Sequence, residues 1–442
     1  MTRVAVVGGG LAGISAALAC ADGGAQVTLL ESRGWRGGAT FSVERDGLVL
    51  DNGQHVFLRC CTAYRDFLDR LGVSSDATLQ QRLDIVVLAP GGRASRLRRD
   101  GLPAPFQLAR SIAGFSPLRR RDRVRLGPAI LALRRLRLDD PSLDGTTFAS
   151  WLADHGQSPE SIAALWDLIA LPTVNLPARE ASLALAAKVF KTGLLEETDA
   201  ADVGYSRVPL RQLHGEAATK ALAAAGVETH LRAKVGAIGT AGRVAWQGGS
   251  VDADAVIVAV PHEDAIELLP PGALPAGVDL SRLGASPILN LHVVYDRRVT
   301  EHAFAAGVYS PVQWVFDRTE SSGLRDGQCL AVSLSGALAY ADRSVEELRA
   351  EFVPALADLF PDARAAEVVS FFVTREPRAT FCGVPGTAAH RPGPRTLLPG
   401  LFLAGAWTDT GWPATMEGAV RSGVAAATAA LGAGSIPTEL AA

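Results

Sequence analysis

Arg3-Val-Ala-Val-Val7 runs without a break into Gly8-Gly-Gly10-Leu-Ala-Gly13. An alanine-rich stretch from Ile14 to Ala21 follows, and then Val27-Thr-Leu-Leu30-Glu31. The first run is β-branched and apolar, as a strand buried on both faces requires. The glycines that follow are spaced for a strand-to-helix turn on which a pyrophosphate rests. Gly8 permits the tight turn, Gly10 lets backbone approach phosphate, and Gly13 lets the helix pack closely on the strand. The free N–H groups at the helix N-terminus then face the phosphate charge. Glu31 ends the second strand, 18 residues after Gly13, where a carboxylate reaches the hydroxyls of an adenosine ribose. A dinucleotide site is the reading of residues 3 to 31.

Which dinucleotide binds is decided further on. Gly37-Gly38 and Leu50-Asp51-Asn52-Gly53-Gln54-His55 follow Glu31 at short intervals. This arrangement resembles flavoproteins of the glutathione-reductase and amine-oxidase type, in which backbone passes close to an extended FAD. The resemblance makes Gly37, Gly38, Asn52 and Gly53 cofactor contacts. Relatives usually carry a basic residue after the glycine pair; Ala39 stands there, with Arg36 the candidate substitute. At the far end, Gly400-Leu-Phe-Leu-Ala-Gly405-Ala-Trp-Thr-Asp-Thr-Gly411 reads as a strand and loop, and a helix opens near Glu417 and runs to about Leu431. In the same superfamily such a helix end faces the flavin C2 carbonyl and stabilises charge on the reduced ring. Gly405, Ala406, Thr415 and Met416 are the residues this implies. Ala406 replaces the aspartate many relatives use for a ribityl hydroxyl, and Asp409 is the candidate substitute. Val235 falls where relatives clamp adenine with backbone, and Ala253-Asp-Ala-Val-Ile-Val-Ala-Val-Pro261 reads as another strand of the cofactor domain.

The fold class is therefore α/β: a discontinuous Rossmann-type FAD-binding domain with a mixed α+β substrate domain. The expected cofactor segments are 1–80, 201–262 and 373–442; the expected substrate segments are 81–200 and 263–372. No second glycine fingerprint occurs, so NADPH, NADH or a reductase is expected to reduce the flavin only transiently.

Composition bounds the rest. The chain has 442 residues, 48% hydrophobic and 20% charged, with a formal net charge of -3. That length implies two or three domains, and the charge balance excludes an electrostatic nucleic-acid binder. Five cysteines without a CxxC pair point to a reducing compartment and no metal site. Neither a signal peptide nor a run of about 18 apolar residues is apparent. A cytoplasmic protein, at most peripheral on the inner face of the membrane, is expected.

Longer stretches are more specific. Trp166-Asp-Leu-Ile-Ala-Leu-Pro-Thr-Val-Asn-Leu-Pro177, Ser286-Pro-Ile-Leu-Asn-Leu-His-Val-Val-Tyr-Asp296, Pro311-Val-Gln-Trp-Val-Phe-Asp-Arg-Thr319, Arg378-Ala-Thr-Phe381, Arg391-Pro392 and Thr410-Gly-Trp-Pro-Ala-Thr415 together resemble the hydroxysqualene dehydroxylases, relatives of the phytoene desaturases. The resemblance implies squalene and hopanoid biosynthesis. A long-chain isoprenoid alcohol would lose water, and hydride from reduced FAD would quench the allylic cation. It also suggests association with squalene-synthase-like enzymes. His55, Asp409 and Glu417 are the candidate catalytic proton donors, each with a structural alternative: orienting backbone, holding ribityl, and favouring a helix N-terminus, respectively. Trp314, Trp407 and Trp412 are candidates to line the cavity or to fill the core. The alternatives are a carotenoid desaturase, a flavin amine oxidase, and a flavin-binding subunit without chemistry of its own.

One segment stands apart. From Arg93 to Arg137 there are 13 arginines against two acids, Asp100 and Asp122, with apolar runs between them. The substrate-domain segment 93–138 is expected to dock on an anionic membrane surface and take substrate from it. A solvated helical face with arginines paired elsewhere is the alternative.

Overall fold

The computed structural model describes residues 1–239 and 242–432; residues 433–442, assigned above to the cofactor domain, lie outside the described residues. Five parallel strands form the first sheet, in the order Glu228–Leu231, Gln26–Glu31, Arg3–Val7, Ala255–Val258 and Leu401–Leu403. Residues far apart in sequence thus meet in one sheet, as a discontinuous cofactor domain requires. The first helix, Leu11–Asp22, and the last, Met416–Leu431, pack on each other over this sheet. Val6, Ile14, Leu29, Ile257 and Ala426 make a common core beneath them.

The second sheet has seven strands, in the order Val368–Thr380, Ser286–Tyr295, Gln328–Leu334, Trp314–Asp317, Phe304–Gly307, Asp84–Ala89 and Arg93–Arg98. Its edge strand continues to Thr380, so the boundary expected at residue 373 falls inside a strand and moves past 380. The cause is register: Ser286 at the start of the neighbouring strand pairs with Thr380, which extends the ladder. One face of the sheet is covered by the helix Val345–Leu359, whose Leu348, Phe352 and Leu356 pack on Leu291, Val293 and Val332. Ser344 and Glu347 close a capping box at its start, satisfying two N–H groups the helix itself leaves open. The other face looks toward the cofactor domain.

Buried polar groups tie distant segments of the chain together. Asp202 is fully buried and accepts from Arg59 at 2.9 Å, Arg99 at 2.7 Å and the N–H of Leu83 at 2.6 Å. Two arginines and a backbone donor compensate the cost of removing that carboxylate from water. His214 is also fully buried, its Nε2 2.8 Å from the Tyr64 hydroxyl.

Burial, with a smaller contribution from His55, pushes His214 down to about 3. An unfolded chain titrates near 6.5, so below that value it binds a proton that the folded protein refuses. The stabilising effect of the neutral ring is complete above about pH 6.5 and is lost as pH falls toward 3. Urea unfolding of the protein should show a loss of about 2 kcal/mol from this group between pH 7 and pH 5, and His214→Phe should flatten that slope.

Candidate cofactor and substrate site

The first helix begins at Gly10 with no side-chain cap and no acid in its first turn, so its leading N–H groups stay open to an anion. Two glycines around the turn before it have no room for a side chain. A Cβ on Gly13 would lie 1.9 Å from the Gly8 carbonyl oxygen, and one on Gly38 would lie 2.7 Å from Cα of Gly10. The Gly37-Gly38 pair is therefore laid directly on the fingerprint, tied by a bond from Gly37 N–H to the Gly9 carbonyl at 2.9 Å. Gly37 and Gly38 both have positive φ, 109° and 59°, which glycine adopts without strain.

Glu31 is placed as the spacing predicts. Its carboxylate accepts from Gly9 N–H at 2.6 Å and Arg33 N–H at 2.7 Å, which fixes its orientation and leaves lone pairs for a ribose. Its carbonyl accepts from Ala233 N–H at 2.8 Å, bringing Val235, buried two residues later, to the same end of the site. Arg36 does not replace the missing basic residue: its guanidinium donates to Thr219 at 2.9 Å and points away from the glycines. Arg33 is nearer, with a bond of 3.2 Å to the Gly38 carbonyl.

At the other end, Gly405 N–H donates to Ser422 at 2.8 Å, and Thr415 caps the last helix by accepting from Gly418 N–H at 3.1 Å. The N–H groups of Ala406, Met416 and Glu417 have no partner among the described residues. They and the glycine cradle are the groups that would hold the two ends of an extended dinucleotide. The loop between is gathered by Arg391, a residue quoted in the sequence but given no role there. Its guanidinium donates to the carbonyls of Trp407, Thr408 and Trp412 at 3.2, 2.6 and 2.7 Å and stacks 4.7 Å from the Phe381 ring. Burial holds it down at about 10, still charged at neutral pH.

Asn52 and Gly53 lie where the cofactor segment crosses the second sheet. The Asn52 side chain is committed to backbone, accepting from Phe41 N–H at 3.1 Å and donating to the Ala39 carbonyl at 2.8 Å. The Asn52 carbonyl accepts from Asn290 at 2.9 Å and Thr374 at 3.1 Å. Asp51 pairs with Arg318 at 2.7 Å, both buried. Asn290, His292 and Arg318 were not singled out as site residues in the sequence. Asn290 and His292 were legible as polar residues at alternate positions of an otherwise apolar strand, Ser286–Tyr295, and so as one face of it. Asn290 Oδ1 and Gln54 Nε2 are buried and have no partner, so polar capacity remains open beside Gly53.

The same sheet face carries an aromatic stack. Phe304, Phe316 and Trp314 are mutual neighbours, with centroids 6.0 Å (Phe304–Phe316), 6.4 Å (Trp314–Phe316) and 6.3 Å (Phe304–Trp314) apart, and Tyr205 is edge-on to Phe304 at 5.8 Å. Of the three tryptophans, Trp314 is on this face. Trp407 is core, its N–H bound to the Val260 carbonyl at 2.9 Å. Trp412 carries Lys188 4.8 Å from its ring centroid.

The three proton-donor candidates are not brought together. Glu417 is buried and accepts from Tyr64 N–H at 2.7 Å and Arg421 at 2.6 Å; it serves as the missing cap of the helix Thr62–Leu71, which has no side-chain cap of its own. Asp409 is exposed, bends back to Gly411 N–H at 3.2 Å, and lines an outer groove of about 510 Å³ between the first helix, the last helix and Thr62–Leu71. The loop turns outward there because Arg391 collects the carbonyls on its inner side. His55 remains at the site, its Nδ1 3.2 Å from the Gly53 carbonyl, and burial lowers its basicity.

Arg391→Met should leave three or more carbonyls without a donor and loosen the loop between Gly405 and Thr415. The purified variant should retain a smaller fraction of bound FAD, read from the absorbance ratio of flavin to protein, and unfold at lower urea by about 2 kcal/mol.

Residues 11–431 match the model of the flavin containing amine oxidoreductase family. The chain is 30% identical, over 98% of its length and 99% of the other, to a hydroxysqualene dehydroxylase of Rhodopseudomonas palustris. It is 25% identical, over 97% of both chains, to a zeta-carotene desaturase of a Synechocystis species. Among solved structures, putrescine oxidase superposes with a TM-score of 0.71 at 22% identity, covering 97% of this chain and 99% of that one. Cyclohexylamine oxidase of Brevibacterium oxydans superposes with a TM-score of 0.72 at 20% identity, covering 97% and 98%. These likenesses show the fold, and the cradle built from Gly8 to Gly13, Glu31, Gly38, Gly405 and the last helix is one into which FAD fits. The chain belongs to the flavin containing amine oxidoreductase family and is an FAD-dependent oxidoreductase.

Proposed function

We propose that this protein reductively removes the hydroxyl of hydroxysqualene to give squalene. The observation that carries the reading is the near full-length likeness to the hydroxysqualene dehydroxylase of Rhodopseudomonas palustris, at 30% identity. When bound and reduced, FAD supplies hydride. The chain's own residues must hold an oily carbon at that position, keep water away from it, and tolerate positive charge as the hydroxyl leaves. The stack of Phe304, Phe316, Trp314 and Tyr205 suits all three tasks. Its rings displace water, and their π faces favour a cation. Carotenoid desaturation is the second reading, favoured by the 25% identity to zeta-carotene desaturase, and it needs the same apolar wall but oxidised flavin.

Anaerobic mixing separates the two. The enzyme with reduced FAD should be reoxidised by hydroxysqualene with squalene as the product, and should show no reaction with that alcohol when its FAD begins oxidised. Reoxidation absent with the alcohol, and FAD reduction by phytoene or ζ-carotene, is the result that favours desaturation.

We also propose that the helix Arg120–Arg135 is the membrane-facing element. Several arginines of the basic segment are spent on acids: Arg96 on Asp84, Arg99 on Asp202 and Arg137 on Asp139. Arg120, Arg125, Arg134 and Arg135 form no salt bridge among the described residues. The outward stripe of this helix is Arg120, Val124, Pro128, Leu131 and Arg135, with Val124 76% exposed and Leu131 39% exposed. Its inward stripe is Asp122, Leu126, Ala129 and Leu133. Apolar side chains between terminal arginines suit the headgroup boundary, where each basic residue contributes about 1 kcal/mol near anionic lipid. Among the described residues no helix is long and apolar enough to cross a membrane. In co-sedimentation with phosphatidylserine vesicles, Val124→Asp with Leu131→Asp should bind at least tenfold more weakly than the parent protein. Equal binding to neutral and anionic vesicles would remove this reading.

A further inference from the structure

We propose that the Ser333 hydroxyl binds the alcohol oxygen of the substrate and lets the site tell that alcohol from its hydrocarbon product. This inference rests on the dehydroxylase reading above and names a residue of its site.

The pairing registers fix where Ser333 stands. It lies on Gln328–Leu334, the third strand of the seven, opposite Asn290 on one side and opposite Trp314 on the other. Residues directly opposite in an antiparallel ladder share a face, and neighbouring strands lie about 4.8 Å apart. Ser333 is therefore the residue between Trp314 of the aromatic wall and Asn290, whose side chain is bonded to the Asn52 carbonyl of the cofactor segment. Its neighbours in sequence, Val332 and Leu334, turn to the other face and join the core under the helix Val345–Leu359.

The face is open at this point. One row along, Ala331 stands opposite His292 and Phe316, and all three are buried. In the row of Ser333, both Ser333 and Trp314 are only half-buried, as is Ile288 two residues before Asn290. A position this far inside a sheet has no strand edge through which solvent reaches it. The exposure reports uncovered space above the face, beside the wall assigned to the reacting carbon.

Ser333 has the chemistry to use that space. Its hydroxyl forms no hydrogen bond among the described residues, and its oxygen is not sealed from the space above it. The neighbouring donors are spent: Thr374 and the Asn290 amide nitrogen both bond the Asn52 carbonyl, at 3.1 and 2.9 Å. His292 belongs to the closed row, in the field of Asp51 and Arg318. Asn290 Oδ1 remains a buried acceptor without a partner. An alcohol between the two residues finds a donor in Ser333 and an acceptor in Asn290, with its carbon chain against Trp314. Squalene answers neither group, and a polar group left unpaired in a site counts against the ligand that fails to meet it. A serine hydroxyl does this without bringing charge into an apolar space. It holds the oxygen; it is not the source of the proton.

The test measures binding to the enzyme with oxidised FAD, where the alcohol is held without turnover. Detergent-solubilised hydroxysqualene and squalene are each titrated against the flavin absorbance. Ser333→Ala should keep the flavin content of the parent, bind the alcohol about threefold to tenfold more weakly, and bind squalene as the parent does. Ser333→Thr, which retains a hydroxyl, should keep the parent's preference for the alcohol. Equal weakening of both ligands in Ser333→Ala, no change in either, or a parent that binds the two equally tightly would overturn the assignment. Those results leave the dehydroxylase reading intact as long as the alcohol reoxidises the reduced parent enzyme. A parent enzyme inert to hydroxysqualene would overturn that reading, and the role of Ser333 with it.

Discussion

The site exists because a short crossing, Asp51-Asn52-Gly53, is bonded from both sides. On the cofactor side the Asn52 side chain bridges Ala39 and Phe41. On the substrate side Asn290 and Thr374 converge on its carbonyl, and Arg318 holds Asp51. A buried ion pair is a poor source of net stability, because removing two charges from water costs nearly what their attraction returns. What it supplies here is position: Arg318 also donates to the Ser206 carbonyl at 2.6 Å, so one guanidinium ties three separate segments into a single register. A shift of one residue in the strands of Asn290 and Thr374 would turn both side chains to the opposite face and remove their bonds to the Asn52 carbonyl.

A second constraint acts on the far loop. Arg391 draws three carbonyls to one side of the chain between Trp407 and Trp412. The N–H groups of Ala406 and Met416 are left without partners among the described residues. With the leading N–H groups of the last helix they form a region of positive potential at one end of the cradle, matched by the uncapped first helix at the other. Both helix ends are unfavourable until an anionic or carbonyl group meets them, so the fold stores part of its binding capacity as unsatisfied donors.

The parts of the fold legible in sequence were those with a local cause. The glycines of residues 8 to 13, Glu31 and the last helix each follow from a turn, a spacing or an apolar period, and the structure places them as read. The expected boundary at residue 373 missed the pairing with Ser286 that carries the edge strand to Thr380. Roles that depend on distant partners were not legible. Glu417 reads as an ordinary acid in a first helical turn, yet its partner is the backbone of Tyr64, more than 350 positions away. Asp409 reads as flavin-facing, and the bonds of Arg391 to the same loop turn it outward.

The same reasoning bears on how one fold serves opposite directions of electron flow. Hydride delivery to a cation and hydride removal from a hydrocarbon both require an apolar wall and a dry site, and the aromatic stack supplies these without bias. Direction is set by the groups that stabilise one partner more than the other. An acid beside the leaving oxygen makes an alcohol a better leaving group and has no task in removing hydride from a hydrocarbon. Donors aimed at the flavin's carbonyl edge make the reduced ring more stable, which helps its formation but weakens its drive to give hydride. A dehydroxylase therefore needs proton delivery strong enough to offset that loss.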